Sequence, residues 1–265
     1  VAGEAGEPGS GGTRRVRYRD GDGQAAELAA RLVVGADGEH SRVREAAGIG
    51  VRGWHHNRYA VVATVDLERD HGGRAFERFR DPGPLAVLPF GERRATLVWT
   101  LGPEEAEARI REGEARFLAR LQGEVGPGVG RVTAAGPRAA YPLELRLAKH
   151  LTGDRVALVG NAGHLLHPVA GQGFNLGMRD VGVLAEVLGE ARERGWDVGH
   201  PSILDRYAGR RRTDMARSVA LTEGLNRLFS NPDPLLARAR EAGLRLFDRL
   251  PGAKEALVRQ AAGLE

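Results

Sequence analysis

Two short stretches concentrate residue types that let a polypeptide backbone approach a flat or anionic ligand. The first runs Val33-Val34-Gly35-Ala36-Asp37-Gly38-Glu39-His40-Ser41-Arg42-Val43-Arg44, an apolar strand that ends in a Gly-Ala-Asp-Gly turn before a short helix. In open α/β folds, ligands sit beyond the carboxyl ends of such strands, and the following helix directs N–H groups at negative charge. Asp-Gly is equally a common Asx turn, and Ser41 is a suitable cap for the helix. On the residues alone, a ligand corner and an ordinary capped turn both stand.

The second stretch is the more specific. Arg155-Val156-Ala157-Leu158-Val159 reads as an apolar strand, and Gly160-Asn161-Ala162-Gly163-His164 and Leu165-Leu166-His167-Pro168-Val169-Ala170-Gly171-Gln172 follow as a loop. A helix opens at or near Gly173 and continues through Phe174-Asn175-Leu176-Gly177-Met178-Arg179-Asp180. Its first turn carries unpaired N–H groups and roughly half a positive charge, which stabilises negative charge on a bound ring system. Gly171 and Gly173 allow approach without a Cβ clash. A tight strand-loop-helix connection is the bland alternative, and the density of small and turn-forming residues favours a ligand site over it.

Other chemistry finds little support. His164 and His167 have no convincing third metal ligand, so no metal site is expected, and no Ser-His-Asp triad or single acid or base emerges from spacing. Arg210, Arg211 and Arg212 form the one tight basic run, expected to be solvated or paired with acids such as Asp205 and Asp214. His55 and His56, beside Trp54, are expected at a domain junction.

The elements that must position these residues can be read from periodicity. Arg14 to Tyr18 and Glu27 to Val34 predict strands flanking the turn Asp20-Gly21-Asp22-Gly23. Gly3 to Gly12 predicts a flexible loop. Four β-type runs follow, Ala60 to Val65, Ala75 to Phe79, Leu85 to Phe90 and Ala95 to Thr100, which predict a mostly antiparallel sheet. Helical spacing over Glu104 to Leu121 predicts one covering helix, and Ala139 to Leu143 and Arg155 to Val159 predict strands leading back to a buried sheet. Gly173 to Arg194 predicts a helix, and from Ile203 onward the pattern predicts two or three helices broken at Pro232, Pro234 and Pro251.

At the two constellations the chain resembles class A FAD-dependent aromatic hydroxylases, the flavoprotein monooxygenases. The first looks like their Asp-Gly motif, and the second like their Gly-Asp motif with its Gly-Gln-Gly-Phe-Asn continuation. Asn161 stands where that motif usually has aspartate; the Gly-Asn-Ala variant, with Leu166 to Asp180, is similar to the 2-polyprenyl-6-methoxyphenol hydroxylase branch of ubiquinone biosynthesis. Tyr207, Arg211, Arg212, Asp214 and Leu221 to Asn231 also resemble that branch.

The resemblance implies an α/β (α+β) fold in which an incomplete, Rossmann-like FAD-binding domain is interrupted by an antiparallel-sheet substrate domain. The expected division is residues 1–53 and 146–195 for FAD binding, 54–145 for the substrate domain and 196–265 for a C-terminal helical region. It implies that Asp37 and Gly38 lie near the FAD pyrophosphate, with an influence on NAD(P)H use. Gly160, Asn161 and Ala162 would lie at the ribitol or ribose hydroxyls, with the Asn161 amide facing them. Pro168, Gly171, Gln172, Gly173, Phe174 and Asn175 would run beside the isoalloxazine ring. The implied activity is hydroxylation of a polyprenylated phenol through a flavin hydroperoxide, with NAD(P)H or another donor as reductant and the sheet around Gly83 to Phe90 walling the substrate. Related readings are a flavin-dependent epoxidase, halogenase or prenyl-chain reductase, and a non-catalytic quinone-lipid-binding or assembly component.

No Gly-x-Gly-x-x-Gly opens a βαβ unit anywhere in the 265 residues, and Val1 is not a methionine, so the expectation is a chain truncated at its N-terminus that alone binds FAD weakly or not at all. Composition sets wider bounds. The chain is 42% hydrophobic and 28% charged, as soluble globular proteins are, and without cysteine it has neither disulfide nor thiolate chemistry. Although the net charge is +4, acids interrupt the arginines, which argues against nucleic acid. Without a signal-peptide layout or a membrane-spanning apolar run, the expected location is cytoplasmic. Leucines alternating with arginines over Leu235 to Leu250 read either as a face packed on the protein, the commoner case, or as contact with the inner membrane surface or a ubiquinone-biosynthesis complex.

Overall fold

The computed structural model describes residues 4–9, 12–166, 172–229, 233–252, 254–255 and 259. The chain divides into two compact units, one comprising Val1–Trp54, Glu144–Thr222 and Gly252–Glu265, the other His55–Leu143 and Glu223–Pro251.

The first unit opens with an antiparallel meander of β1 (Glu4–Gly9), β2 (Thr13–Arg19) and β3 (Ala25–Ala30). The expected loop over Gly3 to Gly12 is thus replaced by a strand over Glu4–Gly9. Its residues are mostly small and give no alternating side-chain signal; the pairing is made by backbone, with an irregularity between Ala5 and Pro8 where the proline cannot donate. The single strand expected from Glu27 to Val34 is also divided. β3 pairs with β2, while β4 (Val33–Gly35) leaves for a second sheet and runs parallel to β12 (Val156–Leu158).

That second sheet has the order β11-β12-β4, with β11 (Thr152–Gly153) antiparallel to β12. Both its faces are covered, and for this reason β12 reads as a continuous apolar run. Ala157 and Val159 face a cluster with Leu184, Val187 and Ala191 of α4 (Gln172–Glu193) and Ile203, Leu204 and Tyr207 of α5 (Pro201–Phe229). Val156 and Leu158 pack with Ile49, Ala148 and Ala162, against Val33, Val43 and Ala47. Val43 belongs to the short α1 (Arg42–Ala46).

The second unit is built on an antiparallel sheet. From His55, β5 (Val51–Leu67) pairs with β8 (Arg94–Leu101), which pairs with β7 (Leu85–Pro89) and that with β6 (Phe76–Arg78); β9 (Val132–Ala135) also pairs with β5. Alternate residues Val61, Val65, Leu85, Val87, Leu97, Trp99 and Leu101 form its buried face. Phe117, Leu121 and Val125 of α3 (Glu114–Val125) close over them. The one helix expected over Glu104 to Leu121 is two: α2 (Pro103–Arg111) ends at Glu112, and Gly113 caps α3. Both residues are extended there, and Arg138 donates to the Arg109 and Glu112 carbonyls that the break exposes, at 2.9 and 2.7 Å.

β10 (Ala139–Ala148) carries the chain back to the first unit, where its end pairs with β13 (His164–Leu165). α5 is one helix of 29 residues, and α6 (Pro234–Asp248) opens on a proline, where a missing N–H costs nothing.

Candidate functional site

The two constellations meet in the first unit. Val156, Ala157 and Leu158 of β12 stand in parallel register with Val33, Val34 and Gly35 of β4, and the Val159 N–H donates to the Gly35 carbonyl at 3.0 Å. The Asp37-Gly38 corner and the Gly160–Ala162 turn therefore leave the same sheet end side by side, where ligands of open α/β sheets bind. Gly160 has φ +58° and Gly38 φ +84°, left-handed values that disfavour a side chain, and a Cβ built at either meets nothing within 4 Å.

Asp37 shapes this corner from within. Its Oδ1 accepts from the Ser41 hydroxyl at 2.5 Å and its Oδ2 from the Val43 N–H at 3.1 Å, while Ser41 Oγ accepts from Arg44 N at 3.0 Å as the N-cap of α1. Burial raises the Asp37 pKa, but the Ser41 and backbone hydrogen bonds outweigh it and hold the carboxyl below its ordinary value. Arg44, nearly buried, joins the corner to the neighbouring turn by donating to the Glu39 and Ala162 carbonyls, both at 3.0 Å. Sequence reasoning missed Arg44, because an arginine in a short polar helix carries no mark of burial.

The first turns of α4 reach the same place. A Cβ on Gly177 would come within 3.2 Å of the Gly160 Cα, so glycine at both positions permits the approach. Gln172, Gly173, Phe174 and Asn175 lie in the opening of this helix, and the Phe174 side chain is 76% exposed. Asn161 is exposed on its turn and Ala162 is buried beneath it. Pro168, Gly171 and His167 lie outside the described residues.

Beneath the turn is a buried ionic cluster. Asp180 is fully buried; its Oδ2 accepts from the Gly160 N–H at 2.8 Å and the His164 Nε2–H at 2.6 Å, and its Oδ1 accepts from Arg211 Nε at 2.6 Å. Arg211 also pairs with Asp214, which pairs with Arg179 at 2.9 Å. Burial would raise the Asp180 pKa, yet the His164 bond and charge, the Gly160 amide and Arg211 together keep it below the ordinary value. His164 is thus engaged with a carboxylate, and among the described residues no group of three or more His, Cys, Asp or Glu is placed to hold a metal.

Open glycine backbone lies at both strand ends, the Asn161 amide is exposed on the second turn, and α4 approaches that turn at Gly177, an arrangement that lets backbone come close to a ligand.

A family model described as FAD binding domain matches residues 7–222. The chain is 43% identical over 251 residues to ubiquinone hydroxylase UbiL of Rhodospirillum rubrum, covering 92% of this chain and 58% of the relative. It is 39% identical over 246 residues to 3-demethoxyubiquinol 3-hydroxylase of Escherichia coli, covering 89% and 60%. Among solved structures, p-nitrophenol 4-monooxygenase PnpA from Pseudomonas putida DLL-E4 superposes with a TM-score of 0.77 at 22% identity, over 96% of this chain and 65% of that one. The chain thus spans about three fifths of the length of these curated relatives.

Proposed function

Because the chain belongs to the FAD binding domain family, we propose that it forms the flavin-side and substrate-side part of an NAD(P)H-using monooxygenase that hydroxylates a polyprenylated phenol in ubiquinone biosynthesis. The observation that carries this reading is the crevice shared by the Asp37-Gly38 corner, the Gly160–Ala162 turn and the opening of α4. The named activities of the 43% and 39% identical relatives support the substrate class.

In this reading the open backbone at Gly38 receives the pyrophosphate, in a corner held in shape by Asp37, whose carboxylate and the Ser41 hydroxyl take up the first N–H groups of α1. Asn161 offers its amide to the ribitol or ribose hydroxyls, as acceptor or donor. Gly160 and Ala162 give the backbone a close approach. Pro168 and Gly171 to Asn175 run along the ring, where the α4 N-terminus stabilises negative charge that develops on it. Bound FAD supplies the redox and oxygen chemistry, which side chains of this chain do not provide. The protein's own part is to orient the phenol and exclude water.

The same reading places the enzyme at the surface of an anionic membrane, from which a polyprenyl substrate is drawn. No helix among the described residues is long and apolar enough to cross a bilayer. Near the end of α6, Leu244, Leu246 and Leu250 are exposed among Arg245 and Arg249, with Arg238 exposed about two turns earlier, the layout of a helix lying in an interface.

One experiment tests both parts. The full-length protein, loaded with FAD, is given NADPH and phosphatidylglycerol vesicles containing a polyprenylated phenol. The expected results are a product heavier by one oxygen atom and co-sedimentation of protein with the vesicles. Oxidation of NADPH without any oxygenated product would sink the hydroxylase assignment, and protein left in the supernatant would sink the membrane assignment.

A further inference from the structure

Asp180 and Arg211 lie under the crevice, and the proposed flavin chemistry makes no direct use of them. Asp180 stands in the third turn of α4, Arg211 comes from the middle of α5, and they are 0% and 2% exposed. One carboxylate oxygen gathers the Gly160 N–H and the His164 ring; the other takes Arg211 Nε. Arg211 turns a further nitrogen to the Leu176 carbonyl, in the opening turns of α4, at 3.3 Å. Its remaining nitrogen holds Asp214, and Asp214 in turn holds Arg179 of α4. A single carboxylate and a single guanidinium thus tie the turn after β12, α4 and α5.

For stability alone this is a poor use of a core position. A buried ion pair is often no better than a well-packed apolar cluster, whereas breaking one leaves an uncompensated charge. What the ions do provide is direction. A planar guanidinium and a carboxylate that accepts three hydrogen bonds fix distances and angles that leucines would leave free. The atoms they fix, the Gly160 amide and the Leu176 carbonyl, belong to two of the three edges of the crevice.

We propose that Asp180 and Arg211 are positioning residues for the cofactor crevice, through which α5 sets the spacing between the Gly160–Ala162 turn and the opening of α4. The proposal rests on the flavin reading of that crevice.

The test uses the full-length protein and the variants Asp180→Asn and Arg211→Met, at a temperature where far-ultraviolet circular dichroism shows each to be folded. Three readouts are taken: hydrogen exchange of the Gly160 to His164 amides without cofactor, FAD affinity, and the visible circular dichroism of bound FAD. Each single variant is expected to exchange faster at Gly160 to His164 and to bind FAD about tenfold more weakly, a change of about 1.4 kcal/mol. The visible dichroism should change as well, and the double variant should be no worse than the weaker single, because both remove one tie. A merely structural role would lower the unfolding midpoint and leave the dichroism of bound FAD unchanged. If Asp180→Asn does not fold, Arg211→Lys, which keeps the charge and loses the fork, carries the same readouts. Wild-type exchange, affinity and dichroism in a folded variant would overturn the proposal. Failure of the unsubstituted protein to bind FAD would overturn the flavin reading instead, and the exchange rates would still decide whether the tie exists.

Discussion

Arg155 and Asp197 clamp the start of β12 to the turn before α5, and their pairing makes a stability term that acid should remove. Two guanidinium nitrogens meet the two carboxylate oxygens at 3.1 and 2.5 Å, and Arg155 also donates to the Arg31 carbonyl at 2.9 Å. The hydrogen bond from Arg155 brings the Asp197 pKa down to about 2, against some opposing burial and with help from the Gly199 N–H and Arg31. A folded-state pKa below the unfolded one means stability that is complete above the ordinary value of 3.8 and lost as pH falls toward about 2. With Asp197 about a third exposed, solvent screening holds the term to about 1 kcal/mol. Asp197→Asn is therefore expected to lower the urea-unfolding free energy by about that amount at neutral pH, with the two proteins converging near pH 2. A gap that persists in acid would mean the clamp works through packing. At the same scale, the Asp180–Arg211 tie was hard to foresee. The partners are 31 positions apart, and the arginine run reads as solvated or paired with acids such as Asp205 and Asp214; Arg211 does pair with Asp214, but it alone of the three is buried, and Arg210 reaches out to Glu186 at 2.6 Å. The available signal was helical phase, since Ile203, Tyr207 and Arg211 recur every fourth residue on the buried face of α5.

At the scale of elements, α4 serves two purposes that its glycines separate. Gly177 faces the turn after β12, where a Cβ would stand 3.2 Å from the Gly160 Cα, while a Cβ at Gly182 meets nothing within 4 Å. Alanine in a helix interior is favoured over glycine by about 1 kcal/mol, so Gly182→Ala should stabilise the protein by about that much. At Gly177 the same gain is opposed by overpacking against backbone that cannot rotate away, which costs about 1–3 kcal/mol, so Gly177→Ala should destabilise or at best break even. Chemical denaturation of both variants checks the contrast; equal stabilisation would show that α4 does not press on the turn. The periodicity that places α4 is strong, and so are the runs that became β5, β7, β8 and β12, because each has one or both faces buried. The elements the sequence did not disclose are those set by pairing or capping. β1 is held by backbone pairing to β2, β4 is cut from β3 by a change of sheet, and α2 is cut from α3 by Gly113 and the Arg138 cap. None of these leaves a mark in hydrophobic period.

For the molecule as a whole, the decisive quantity is how much of a dinucleotide site 265 residues can build. The β11-β12-β4 sheet of the first unit ends at β4, whose Val34 is 42% exposed, and among the described residues no strand pairs with its other edge. An adenosine diphosphate moiety is ordinarily gripped by a glycine-rich turn leading into a helix N-terminus, with an acidic residue for the ribose. The one Gly-x-Gly-x-x-Gly spacing in the sequence, Gly48 to Gly53, leads into the strand β5 and not into a helix. In the proposed reading the crevice at Gly38, Gly160 and α4 would offer contacts to the ring, ribityl chain and one side of the pyrophosphate, and would leave the adenosine half to solvent. The ring-side contacts alone must then offset the full loss of ligand freedom on binding, which is the main reason small contact sets bind weakly. The purified 265-residue chain is therefore expected not to saturate with FAD in the micromolar range when followed by flavin fluorescence. Saturation of the short chain at micromolar FAD would mean that the Asp37-Gly38 corner and the turn after β12 bind dinucleotide unaided, and that the open edge of β4 has no part in holding the cofactor.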